Sequence, residues 1–149
     1  MTHNALTLTA SIPNDFKLSV IMPVYNERYT VLRVLDRVLQ VPIHKEVIVV
    51  DNCSTDGTRE ILQGIHAEQV KVIYHPQNLG RGTSVRTALE HCTGDYALTQ
   101  GADLEYDPAE WSSLIEKALS ENLDAVFGSR TRCGRAIYVY PQNYYDIVR

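Results

Sequence analysis

Apolar residues in this chain fall into short unbroken runs, separated by stretches in which they recur at helical spacing. Leu18, Val20, Ile21 and Met22 form such a run within residues 17–23, and it stops at Pro23, as a buried strand does. Val47 to Val50 form a second, closing on Asp51, near-continuous in the way of strands covered on both faces of a parallel sheet. Further strands are expected at residues 70–74, 95–100 and 124–128. Between them, Val31, Leu32, Val34, Leu35, Val38 and Leu39 predict an amphipathic helix over residues 28–40, ended before Pro42. Ile61, Leu62 and Ile65 mark a second helix, and residues 81–92 a third that ends at Gly94. Asp107 and Pro108 open a fourth, running to about residue 121 with Trp111, Leu114, Ile115, Ala118 and Leu119 facing inward.

Strands alternating with helices of this length predict an α/β fold: a Rossmann-like parallel sheet with flanking helices. Residues 1–16 are polar and aperiodic and read as a flexible leader, with the main domain at 17–131. Residues 132–149 carry Tyr138, Tyr140, Tyr144 and Tyr145 without a clear period. They read either as a terminal strand with a tail or as the opening of a larger domain.

Composition narrows the function classes. The chain has 149 residues, 44% hydrophobic and 21% charged, as in ordinary globular proteins. A net charge of −4 without a basic block argues against a nucleic-acid partner. Cys53, Cys92 and Cys133 are odd in number and widely spaced, which points to a reducing compartment, with neither a disulfide framework nor a zinc site. No signal peptide and no membrane-spanning run is visible, so the expected location is cytoplasmic, with peripheral attachment at the inner membrane face left open.

In an open parallel sheet, ligands bind beyond the carboxyl ends of the strands. Here those ends carry Pro23, Tyr25 and Glu27, then Asp51, then Asn78 to Gly82, then Ala102 and Asp103, then Arg130. Asp103 and Glu105, at alternate positions of an extended or gently turning chain, can aim at one point and suit a hard dication such as Mg²⁺ or Mn²⁺. Asp107, before Pro108, reads as a helix cap. Asp51 can accept from a ribose or from a base N–H. Arg81, flanked by Gly80 and Gly82 at a helix start, is either a solvated charge or a phosphate or base contact. The first strand runs into Pro23-Val-Tyr-Asn-Glu27 rather than Gly-x-Gly-x-x-Gly, which disfavours a nicotinamide dehydrogenase.

Together, Val20 to Glu27, Val49 to Thr58, Asn78 to Gly82, Ala102 to Pro108 and Phe127 to Arg130 resemble the family 2 glycosyltransferases, particularly the dolichyl- and polyprenyl-phosphate sugar synthase branch. The resemblance implies the donor-binding half of a GT-A type nucleotide-diphospho-sugar transferase domain. On that analogy Pro23, Tyr25 and Glu27 line the base and ribose pocket, Asp51 bonds the base, and Arg81 lies beside the nucleotide. Ala102 and Asp103 belong to the cation-binding segment with Glu105, and Arg130 approaches the phosphates. The implied partners are a UDP- or GDP-sugar, a divalent cation (Mg²⁺ or Mn²⁺) and a lipid-phosphate or glycan acceptor, transferred to with inversion. Gly101 stands where the family usually has a further aspartate, and Cys53 where it has a turn glycine. No counterpart of the acceptor half is expected, so a truncated copy, weakly active or inactive alone, is the leading reading. The rival is a non-catalytic interaction module that oligomerises through its tyrosine-rich end.

Overall fold

The computed structural model describes residues 12–128 and the backbone of residues 146–148. Strands and helices alternate as β1 (Leu18–Val24), α1 (Val31–Gln40), β2 (Lys45–Asp51), α2 (Thr58–Gln63), β3 (Val70–Tyr74), α3 (Arg81–Leu89), β4 (Tyr96–Thr99), α4 (Trp111–Ser120) and β5 (Ala125–Phe127), with a short β6 (Asp146–Val148). The sheet order is β3-β2-β1-β4-β6-β5. Four strands are parallel: β1 pairs β2 and β4, and β2 pairs β3.

Between β4 and β5 the parallel sheet takes in one further strand. Residues 146–148 run antiparallel to both neighbours and bridge them. This strand lies within the tyrosine-rich stretch, where no sequence period announces it.

Side chains alternate across the sheet and so divide the core. Val20, Met22 and Val24 of β1 join Val31, Val34, Leu35 and Val38 of α1, Leu62 of α2, and Trp111, Ile115 and Ala118 of α4. Ile21 and Ile48 point the other way, with Val50, onto Ala88 of α3. Each fully buried apolar side chain of this size contributes roughly 1.5–3 kcal/mol, so both faces hold the sheet. The core also takes in Phe16, inside the segment read as a leader, whose ring centroid lies 6.2 Å from that of Tyr96.

Two helices start later than their periodicity predicts. Before α1, the Glu27 carbonyl accepts from both Thr30 N and Val31 N, so residues 27–30 form a turn. Before α4, Pro108–Glu110 is a 3₁₀ turn, and Asp107 caps it as expected, its Oδ1 accepting from Ala109 N at 3.1 Å. Among the described residues no helix is long and apolar enough to cross a membrane.

Candidate functional site

Chain order places β2 and β3 on one side of β1, and β4 on the other. The loops after β1 and β4 therefore diverge at this switch point and leave a crevice. It is lined by Pro23, Val24, Tyr25, Glu27, Asn52, Asn78, Gly80, Arg81, Ser84, Gly101, Ala102 and Asp103. Its volume of ≈ 270 Å³ is just below the roughly 300–1,000 Å³ of small-molecule pockets, consistent with a shallow groove.

The first wall is stitched to the second through backbone N–H groups. Asn26 N donates to Ser54 Oγ at 3.0 Å, Glu27 N to Thr58 Oγ1 at 2.9 Å and Arg28 N to Asp56 at 3.2 Å. In return Thr55 N donates to Asn26 Oδ1 at 2.8 Å, with Asn26 held at a φ of 57°. Residues 54–58 thus act as a template that orients Tyr25 and Glu27. Glu27 Oε2 also accepts from Thr30 Oγ1 at 2.6 Å.

The third wall begins at α3. Gly80 precedes it at a φ of 82°, and no side chain caps the first turn. The N–H groups of that turn lack intrahelical partners and carry the positive end of the helix dipole, as anion sites do. Arg81 adds a full positive charge at the same wall.

The fourth wall is the loop after β4. Gln100, wholly buried, donates from Nε2 to Gly101 O at 3.1 Å, and its Oε1 accepts from Trp111 Nε1 at 3.2 Å. Asp103 is not on an extended chain. Leu104 has a φ of 65°, and Asp103 Oδ1 accepts from Glu105 N at 3.2 Å. Of the two acids on this turn, Asp103 lines the crevice, and the exposed Glu105 is not among its lining residues.

A Cβ on Gly101 would lie 2.9 Å from Asp103 Oδ1 and 3.2 Å from the Tyr106 ring, so a second aspartate there requires the Asp103 carboxylate to shift. Among the described residues no three His, Cys, Asp or Glu side chains cluster as a preassembled metal cage. The donor set nevertheless fits a Mg²⁺ or Mn²⁺ ion shared with substrate, because such ions use one or two carboxylates plus phosphate oxygens and water.

Of the residues singled out in the sequence, Pro23, Tyr25, Glu27, Arg81, Ala102 and Asp103 meet at this crevice. Asp51 does not. It is wholly buried, Oδ1 accepting from Ser54 N at 3.1 Å and Oδ2 from Arg59 Nε at 2.7 Å. Its neighbour Asn52 lines the crevice instead. That follows from β-geometry, because successive residues at a strand end face opposite ways. The expected role of Arg130 lies outside the described residues. Asn78, expected at this edge with the glycine-rich turn, also lines it, whereas Asn52 and Ser84 were not singled out. Asn78 was legible as the first residue of the glycine-rich turn, whereas nothing local distinguishes Ser84 from a solvated helix residue. Of the cysteines, Cys53 and Cys92 are free thiols, and burial pushes the Cys92 thiol up.

Comparison with known proteins covers nearly all of this architecture. The undecaprenyl-phosphate 4-deoxy-4-formamido-L-arabinose transferase of Shewanella sediminis is 33% identical over 119 residues, 75% of this chain and 35% of that protein. The dolichol-phosphate mannosyltransferase of Pyrococcus furiosus is 33% identical over 129 residues, 84% of this chain and 36% of that protein. The chain thus spans about a third of the length of these curated relatives. Among solved structures, glucosyl-3-phosphoglycerate synthase from Mycobacterium tuberculosis, in complex with Mn²⁺, UDP and glucosyl-3-phosphoglycerate, superposes with a TM-score of 0.64. It is 25% identical, and the superposition covers 84% of this chain and 47% of that one. The fold is that of GT-A glycosyltransferase domains. The family model described as glycosyl transferase family 2 matches residues 19–147, past the Gly128 to Arg130 stretch and into the tyrosine-rich end. With that match over most of its length, this chain belongs to glycosyl transferase family 2.

Proposed function

We propose that this chain is the donor-binding part of an inverting family 2 glycosyltransferase. It holds a UDP- or GDP-linked sugar and a divalent cation, for transfer to a lipid-phosphate or glycan acceptor. The observation that carries this reading is the convergence of Arg81, the uncapped start of α3 and Asp103 on one crevice at the switch point of a parallel sheet. A positive wall facing a carboxylate suits a diphosphate with its counter-cation better than it suits a neutral metabolite.

In this reading Pro23, Tyr25 and Glu27 flank base and ribose, with Ala102 closing the floor beside them. Arg81 bonds the diphosphate, and Arg130 approaches it from the segment beyond β5. Asp103 holds the cation, Mg²⁺ or Mn²⁺, with Glu105 on the same turn as its second ligand. The cation, when bound, neutralises charge that develops on the departing diphosphate. Asp51 acts from behind the wall, fixing Arg59 and the 51–54 turn, while Asn52 faces the nucleotide. Polyprenyl-phosphate and dolichol-phosphate relatives support a lipid-phosphate acceptor, and with it a station at the inner membrane face.

Among the described residues that line the crevice, only Glu27 and Asp103 are carboxylates, one bonded to Thr30 and the other assigned to the cation. Neither is left as a base for the acceptor. Donor binding with poor sugar transfer by the 149-residue chain alone belongs to this proposal.

Calorimetric titration with UDP-glucose, UDP-N-acetylglucosamine and GDP-mannose, each with Mn²⁺, tests the binding. Cation-dependent heat with at least one donor, abolished by Asp103→Asn, is the expected result. Absence of heat with all three, while light scattering shows a concentration-dependent oligomer, would favour an interaction module instead.

A further inference from the structure

His75 immediately follows β3 and is 6% exposed, yet it does not line the crevice. Its ring touches two polar side chains. Nδ1 is 3.1 Å from Asn52 Oδ1, and Nε2 is 3.0 Å from Thr87 Oγ1 on α3. Asn52 Oδ1 also accepts from Leu79 N at 2.9 Å, and Asn52 Nδ2 donates to Asn78 Oδ1 at 2.8 Å. Asn78 Oδ1 in turn accepts from Gly80 N at 3.0 Å. These partners fix which way the Asn52 amide faces, and a carbonyl oxygen only accepts. The network therefore assigns a proton to Nδ1, while Nε2 lies within hydrogen-bond distance of the Thr87 hydroxyl, which can either donate or accept.

We propose that His75 is a positioning residue for the nucleotide crevice. Its Nδ1–H holds the Asn52 amide in the orientation that latches the Asn78–Gly80 turn, and so sets where Gly80 and Arg81 stand opposite Asp103. The proposal deepens the donor-binding reading and rests on it. A histidine kept only for core packing needs neither a fixed tautomer nor this donor. Two substitutions separate these roles. His75→Asn places an N–H where Nδ1 stands and gives up the Thr87 contact. His75→Gln places its amide where Nε2 stands and gives up the Asn52 contact.

The test combines three measurements on the full chain. Mn²⁺-dependent UDP and GDP binding is titrated for wild type, His75→Asn and His75→Gln. Hydrogen exchange is followed at the Leu79 and Gly80 amides. The ¹⁵N spectrum of the histidine ring reports the tautomer in the wild type, independently of either variant folding. Losing one well-placed donor to a buried acceptor corresponds to about a tenfold effect. The expected result is an Nδ1–H tautomer, near-wild-type binding and exchange in His75→Asn, and in His75→Gln about tenfold weaker binding with about tenfold faster Leu79 exchange. An Nε2–H tautomer, or equal effects in the two variants, would overturn the latch. If wild type binds neither nucleotide, the donor-binding reading fails, and the tautomer and the exchange contrast still decide whether His75 holds the turn.

Discussion

Replacing Glu46 with Gln removes one charge from the edge of the sheet opposite the crevice, and the structure gives the size of the effect. Ser19 Oγ donates to Oε1 at 2.7 Å and Thr93 N at 2.6 Å, while Lys17 Nζ and Thr93 Oγ1 each donate to Oε2 at 2.9 Å. Burial pushes the Glu46 carboxyl up, but the bonds from Ser19, Lys17 and Thr93 outweigh it and bring the value from 4.5 to about 2. Each pKa unit is worth about 1.4 kcal/mol, so ionised Glu46 contributes up to about 3 kcal/mol. Its folded pKa is depressed, so this contribution is complete above the unfolded value of 4.5 and is lost as pH falls towards about 2. The glutamine variant places an amide N–H₂ against Lys17 and carries no titrating group.

Urea unfolding of both proteins at a series of pH values measures the difference directly. The expected gap is about 2–3 kcal/mol from about pH 8 down to about pH 5.5, shrinking below that towards zero near about pH 2. Nucleotide binding should be unaffected, since this cluster lies at the amino ends of the strands. A gap of the same size at about pH 3 and about pH 7 would refute the reasoning, because the stabilisation would then not be that of a depressed carboxylate.

Three further outcomes are expected. Cys53→Gly relieves a residue held at a φ of 65° and should raise unfolding stability by about 1 kcal/mol in the same assay. Gly94→Ala puts a Cβ 2.6 Å from Lys17 O and 2.8 Å from Ser19 N, both backbone, and should cost about 3 kcal/mol or more, or abolish soluble expression. Arg81→Ala should weaken Mn²⁺-dependent UDP and GDP binding by about tenfold without lowering the thermal midpoint, since Arg81 is exposed and its charge faces the crevice.

How much of this could be read locally varies from residue to residue. The runs at Leu18–Val24 and Lys45–Asp51 specify buried strands because a strand covered on both faces has no polar side to show, whereas Val70–Tyr74, with Lys71 inside it, forms the half-exposed edge strand. The Asp107 cap was legible for a similar reason, since cap and recipient N–H are two residues apart. The turn at Leu104 was not. Its left-handed φ follows from a packed loop in which Tyr106 is buried and Gln100 is pinned by Trp111. Nothing local signalled that a left-handed residue separates Asp103 from Glu105, or that only Asp103 of the two lines the crevice.

The sequence by itself determined the alternation of strands and helices and the glycine and acidic turns at the strand ends. Those signals depend on backbone preferences and burial within a few residues. Only the tertiary structure decided which of two adjacent side chains, Asp51 or Asn52, faces the crevice. It also decided that residues 54–58 serve as scaffolding for Tyr25 and Glu27, and that β6 inserts between β4 and β5. Each of these is a contact between segments far apart along the chain, and its energy depends on what the other segment presents.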